Sequence, residues 1–167
     1  MFDINYVQIL KDLPPELATF LISMIPIAEL RVAIPVALGV YKLSVFSAMF
    51  WAVLGDIIPA ILIVIYLPVI SKWFSKRSKI CKRFFDWQFA RTRKKFEGKY
   101  ARWGSLAIIL FVGIPAPFTG SWTGAIAAFL FGIPPRISIT LIFIGVILAG
   151  MIVSLLSLGV FNFFHIL

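Results

Sequence analysis

IPIAELRVAIPVALG, residues 25–39, sets Glu29 and Arg31 in the middle of an apolar run and brackets them with Pro26 and Pro35. A bilayer-spanning helix needs about 20 consecutive apolar residues. A carboxylate or guanidinium at its centre costs roughly 2.5–3.5 kcal/mol on insertion scales. Each interior proline removes an N–H and clashes with the preceding turn. The stretch is therefore a poor simple spanning helix and reads as a re-entrant hairpin, two short arms meeting at a polar, irregular tip. Irregular backbone at membrane depth survives only where protein or a water-filled cavity surrounds it. That makes the tip the first candidate site.

The rest of the 167-residue chain fits such a hairpin. Hydrophobic residues make up 61% and charged residues 14%, which is the composition of an integral membrane protein. Twelve Lys/Arg stand against Asp86 and Glu97 between Lys72 and Arg102, while the remainder is nearly neutral. One basic loop between apolar blocks follows the positive-inside rule and places 72–102 in the cytoplasm. The same confinement argues against a nucleic-acid partner. Cys81 is the lone cysteine, so no disulfide framework or cysteine metal site is expected. The first residues lack a basic n-region followed by an apolar core, so no cleavable signal peptide is read there.

The whole chain, 1–167, reads as one membrane domain. In residues 1–15, Ile4, Val7, Leu10 and Leu13 share a face of a short interfacial helix. The first repeat, 1–71, holds the hairpin 16–38 and a transmembrane helix over 43–71. At the middle of that helix Asp56 precedes Pro59, which withholds the helical donor from the Gly55 carbonyl. Asp56 is either a functional acid or hydrogen-bonded glue between helices. The linker 72–103 carries Phe74, Ser78, Cys81, Phe85, Phe89, Thr92, Phe96, Tyr100 and Trp103 at helical spacing. It reads as an amphipathic helix on the inner leaflet, held by anionic lipid at about 1 kcal/mol per basic residue. The second repeat, 104–161, holds a hairpin over 104–131 and a helix over 136–161. Gly113, Pro115, Pro117, Gly120 and Gly124 break its hairpin, and Thr119, Ser121, Trp122 and Thr123 make its tip polar.

Each half is a broken hairpin, a short break and a long helix. Placing Pro26 on Pro115 aligns Arg31 with Gly120 and Pro35 with Gly124, and a four-residue insertion brings Gly39 onto Gly132. Each half crosses once, so the repeats are inverted, an arrangement whose broken segments mark a transporter's midplane site. Four full crossings would instead make them parallel. The substrate- and proton-binding candidates are Glu29, Arg31, Asp56, Thr119, Ser121 and Trp122. The hairpin tips are shaped by Pro26, Pro35, Pro115, Pro117, Gly120 and Gly124. On a regular helix Glu29 and Arg31 diverge by about 200° and cannot pair, and Asp56 is then the partner for Arg31. In an extended turn they share a side, and protonating Glu29 releases Arg31 to an anion. With one His, one Cys, no metal-ligand cluster and no phosphate loop, neither catalysis nor a cofactor is expected. A hydrolase using Glu29 and Asp56 is the enzyme alternative.

The two tips, with E-x-R between prolines and then P-x-P-x-T-G-x-W-x-G across the basic loop, resemble the small multidrug export family of prokaryotic membrane proteins. More distantly the layout resembles the DedA (VTT) superfamily, with re-entrant hairpins in inverted repeats. The first resemblance implies drug efflux across the cytoplasmic membrane. The second implies a DedA-like fold and lipid flipping, undecaprenyl phosphate included, with Glu29 matching the first hairpin's acid. The second hairpin here has no arginine, so Arg31 stands in from the other tip. The expectation is an all-α, multi-pass, proton-linked transporter of an amphipathic or lipid-phosphate substrate, completed by homodimerisation. A non-transporting membrane scaffold, in which the buried charges only lock helices together, is the alternative.

Overall fold

The computed structural model describes residues 13–77, 83, 99–116 and 119–166. The interfacial helix expected from Ile4, Val7 and Leu10, the linker's face from Ser78 to Phe96, and Pro117 lie outside these residues. Among the described residues all regular structure is helical: α1 (Pro15–Ser23), α2 (Glu29–Gly39), α3 (Val45–Arg77), α4 (Lys99–Gly113), α5 (Ser121–Leu130) and α6 (Pro135–Ile166). The chain divides into two compact units, Met1–Ile58 with Val146–Leu167, and Pro59–Gly145.

In the first unit, Pro15 opens α1 where a missing N–H costs nothing, and Thr19 Oγ1 donates back to the Pro15 carbonyl at 2.7 Å. Pro26 disfavours helix at Ile25, and the chain breaks over residues 24–28 before α2 resumes. The two arms pack on each other. At about 1.5 Å per residue, α1 and α2 are roughly 14 and 16 Å long, each about half the hydrocarbon thickness.

α1 lies antiparallel to the start of α3, and two contacts set the register. Ser23 Oγ–H donates to the Ala52 carbonyl at 2.6 Å. Gly55 comes so close to α1 that a Cβ there would run into the Phe20 carbonyl oxygen. Small side chains make this approach possible: Ala18, Ala33, Ala37, Ala48 and Ala52 are all fully buried. Later in the chain, Gly150 of α6 faces Met49 and Val53 at ordinary van der Waals distance. Ser23→Ala is expected to lower stability by about 0.6–1.7 kcal/mol, from the mean to the maximum measured for interhelical bonds in a membrane protein. Thermal unfolding in detergent would show this as a lower midpoint.

In the second unit α4 packs on α5, and Val112 is the knob between them. A Cβ at Gly124 would strike Val112 Cγ2, and one at Gly145 of α6 would lie 2.7 Å from Val112 Cβ and 3.1 Å from the Ile109 carbonyl oxygen. α5 closes with Gly132 at φ 67°, the left-handed position that glycine adopts without strain. Ile133 N–H then returns to the Ala128 carbonyl at 3.0 Å.

α3 and α6 are long and apolar enough to cross a membrane. At 33 residues α3 is about 50 Å long, well beyond a hydrocarbon core of about 30 Å. It runs on to Arg77, past the boundary expected at residue 71, because nothing after Pro68 breaks it. α4 likewise begins at Lys99, within the expected linker. Both long helices turn large apolar side chains outward, among them Phe46, Leu62, Val69, Leu155 and Leu156. An apolar exterior of this extent is stable against lipid and not against water.

Candidate functional site at the two breaks

The first break differs from the expected tip in two respects. Glu29 and Arg31 are not inside it; they form the first turn of α2 just beyond it. Pro35 lies within that helix and does not end it. Its cost is local: it has no N–H to give the Arg31 carbonyl its usual helical bond.

Glu29 carries the outlying backbone of this turn. Its φ is 48°, left-handed for a residue with a branched-out side chain, while its N–H donates to the Ile25 carbonyl at 2.8 Å. Left-handed backbone costs a non-glycine residue roughly 1–2 kcal/mol. Such strain persists only where the surroundings hold it in place. The consequence is geometric. Glu29 leaves the regular helical spiral, and its carboxylate comes to Arg31, Nη2 to Oε2 3.6 Å, a pairing that two positions on a regular helix forbid. Glu29 is 6% exposed, and the Arg31 side chain keeps 22%. The carboxylate also stands at the positive end of the α2 dipole, which favours its charge as burial opposes it.

Asp56 belongs to the same unit and is 1% exposed. The antiparallel register of α1 and α3 levels Ala52 with Ser23 at the end of α1. Asp56 therefore lies about one helical turn behind the break, alongside α1 and next to the Gly55 contact. Pro59 withholds the helical donor from the Gly55 carbonyl next to Asp56, as Pro35 does from the Arg31 carbonyl two residues past Glu29.

At the second break the chain is extended at Gly120 (φ 158°, ψ −171°), and α5 starts at Ser121. The hydroxyls do less here than their sequence suggests. Thr119 Oγ1 is used within its own loop, donating to the Ile114 carbonyl at 2.8 Å or to that of Ala116 at 2.7 Å, and accepting from Ala116 N–H. Thr123 Oγ1 turns back to the Gly120 carbonyl at 3.3 Å. Ser121 is fully buried. Trp122 is the exception, since its buried indole N–H has no acceptor among the described residues. Glu29, Arg31 and Asp56 thus share one unit, and Thr119, Ser121 and Trp122 the other.

Ser23 carries a polar role that the sequence alone does not reveal, and Tyr41, at the break between α2 and α3, reads from the sequence as an interfacial tyrosine. Ser23 looked like one more small residue in an apolar run, yet it ties α1 to the helix bearing Asp56. Tyr41 Oη is buried without a partner among the described residues, and burial pushes its phenol pKa up, so it stays a neutral donor. No three His, Cys, Asp or Glu side chains cluster as metal ligands among the described residues.

Residues 29–152 match the family model described as "Putative small multi-drug export protein". The chain belongs to this family. The match begins at Glu29 itself and takes in Arg31, Asp56 and the second break, so the resemblance carried by the two tip signatures is borne out. Comparison with curated proteins and with solved structures gave no match.

Proposed function

We propose that this chain is a small membrane exporter in which Glu29 exchanges a proton for an amphipathic substrate. The observation that carries the reading is Glu29 itself: a buried carboxylate, in strained backbone, paired with Arg31 where two half-length helices meet. Intramembrane ionisable residues with such partners mark ion and substrate pathways. The family's description supports export as the direction of work.

Charge sets what the site can hold. With Glu29 and Asp56 ionised and Arg31 charged, the first unit's break is net −1 and suits a cation or a proton. One protonation makes it neutral, and a second leaves +1, which suits an anionic headgroup. α1 and α2, each about half the hydrocarbon thickness, support a re-entrant arrangement of the first break, with 72–102 on the cytoplasmic side. A second copy of the chain would complete the enclosure.

The test is transport in proteoliposomes, wild type against Glu29→Gln. One assay follows a lipophilic cation under an imposed pH gradient, and the other a fluorescent lipid phosphate. Wild type is expected to move one of the two, and Glu29→Gln to fall to the level of protein-free vesicles. A well-folded wild type that moves neither would leave the scaffold reading standing.

A further inference from the structure

The last turns of α3 carry a feature that the transport site does not use. Lys72, Trp73, Phe74, Lys76 and Arg77 are exposed, and Trp73 and Phe74 meet edge to face with centroids 5.0 Å apart. The Arg77 guanidinium lies over the Trp73 ring, Cζ 4.5 Å from the centroid. One face of the guanidinium plane is thereby held by the indole. Its N–H edge, the part that binds an oxyanion through two parallel hydrogen bonds, stays available. A lysine at 77 would be a point charge without that fork.

Below this stack the same side of the helix is apolar and exposed, through Tyr66, Val69 and Ile70. Lys72, Lys76 and Arg77 stand together as an exposed cationic patch at this end of the helix. The length of α3 exceeds the hydrocarbon core by about 20 Å, which is enough to bring this end to headgroup level.

We propose that this end of α3 is a binding site for an anionic phospholipid. Arg77 takes the headgroup phosphate, Trp73 positions the guanidinium, Lys72 and Lys76 add charge, and an acyl chain lies along Ile70, Val69 and Tyr66. The site stands on the α3 geometry and is independent of the Glu29 reading.

The test uses full-length protein in a neutral detergent, titrated with phosphatidylglycerol and with phosphatidylcholine of the same chains. Native mass spectrometry counts the bound lipid. Wild type is expected to prefer phosphatidylglycerol. Arg77→Gln should weaken that lipid about fivefold, the loss of one membrane-surface cation, and leave phosphatidylcholine unchanged. Trp73→Leu should weaken phosphatidylglycerol similarly, and Trp73→Phe should retain it, which separates a positioning ring from mere bulk. Both side chains are exposed, so these variants keep the fold, and circular dichroism checks it. Unchanged phosphatidylglycerol binding by Arg77→Gln would overturn the proposal. So would displacement of the lipid by inorganic phosphate at equal concentration, which would make this a free-anion site.

Discussion

Arg31→Met is expected to destabilise the protein by about 3 kcal/mol, and adding Glu29→Gln to recover most of that loss without recovering transport. Removing one partner of a buried ion pair leaves the other charge buried and costs roughly 3–5 kcal/mol. The lower end applies because the Arg31 side chain keeps 22% exposure. Glu29 is the more buried partner, so the guanidinium matters more to the carboxylate than the reverse. Glu29→Gln replaces that carboxylate with a neutral amide of nearly the same shape, and the doubly substituted turn no longer buries a charge. Unfolding midpoints in detergent measure the first effect and proteoliposome flux the second.

The two quantities separate the readings of the site. A scaffold that needs its ion pair only for packing regains everything when both charges are removed. An exporter that works through Glu29 regains its stability and stays inactive. If the double variant transports at the wild-type rate, the pair is structural and the exchange of a proton at Glu29 is wrong.

Much of this was legible in the chain, for reasons that can be stated residue by residue. Long apolar runs need no partner to declare a membrane helix, so α3 and α6 could be read from composition and length alone. Pro26 and the Pro115–Gly120 cluster break helices through backbone chemistry that does not depend on context, so both breaks were legible too. Pro35 was not, because one missing donor can be absorbed inside a helix, and no sequence signal distinguishes the two outcomes. The left-handed φ of Glu29 was also hidden. Such backbone is read from Gly, Asn or Asp, and here the surrounding packing imposes it on a glutamate. The pairing of Glu29 with Arg31 follows from that one dihedral, so the sequence had to leave both arrangements open.

Each half holds a close glycine contact of the same kind. Gly55 meets the Phe20 carbonyl and Ser23 Cβ; Gly145 meets the Ile109 carbonyl and Val112 Cβ. Phe20 to Ile109 and Ser23 to Val112 have the same spacing as Pro26 to Pro115. One residue more separates Gly55 from Gly145, and the left-handed Lys42 from the left-handed Gly132. Matching Lys42 with Gly132 is a different register from the one that brings Gly39 onto Gly132 through a four-residue insertion. In the former, Ser23 answers to Val112 and Asp56 to Val146. Glu29, Arg31 and Asp56 all belong to the first half, and in this register Gly120 and Val146 answer to Arg31 and Asp56.

That shared contact carries the largest expected effect on stability. Gly55→Ala would place its Cβ against the Phe20 carbonyl oxygen and 3.0 Å from Ser23 Cβ. The carbonyl belongs to the α1 backbone and has no rotamer to change, so the helices must move apart. The separation stretches the 2.6 Å bond from Ser23 to Ala52 as well. Overpacking of this kind costs about 1–3 kcal/mol, and loss of the Ser23 bond adds about 0.6–1.7 kcal/mol. Gly145→Ala should cost less, because its nearest neighbours are Val112 side-chain atoms at 2.7 and 2.9 Å, with the Ile109 carbonyl oxygen at 3.1 Å. Gly150→Ala is the control: its nearest atoms, on Met49 and Val53, stand at 3.6 Å, and alanine favours a helix by up to about 1 kcal/mol over glycine. Unfolding midpoints should therefore fall most for Gly55→Ala, less for Gly145→Ala, and hold or rise for Gly150→Ala. Since Asp56 follows Gly55 directly, Gly55→Ala should also lower transport by displacing that acid from α1. If Gly55→Ala proves as stable as Gly150→Ala, α1 does not rest on α3 at Phe20.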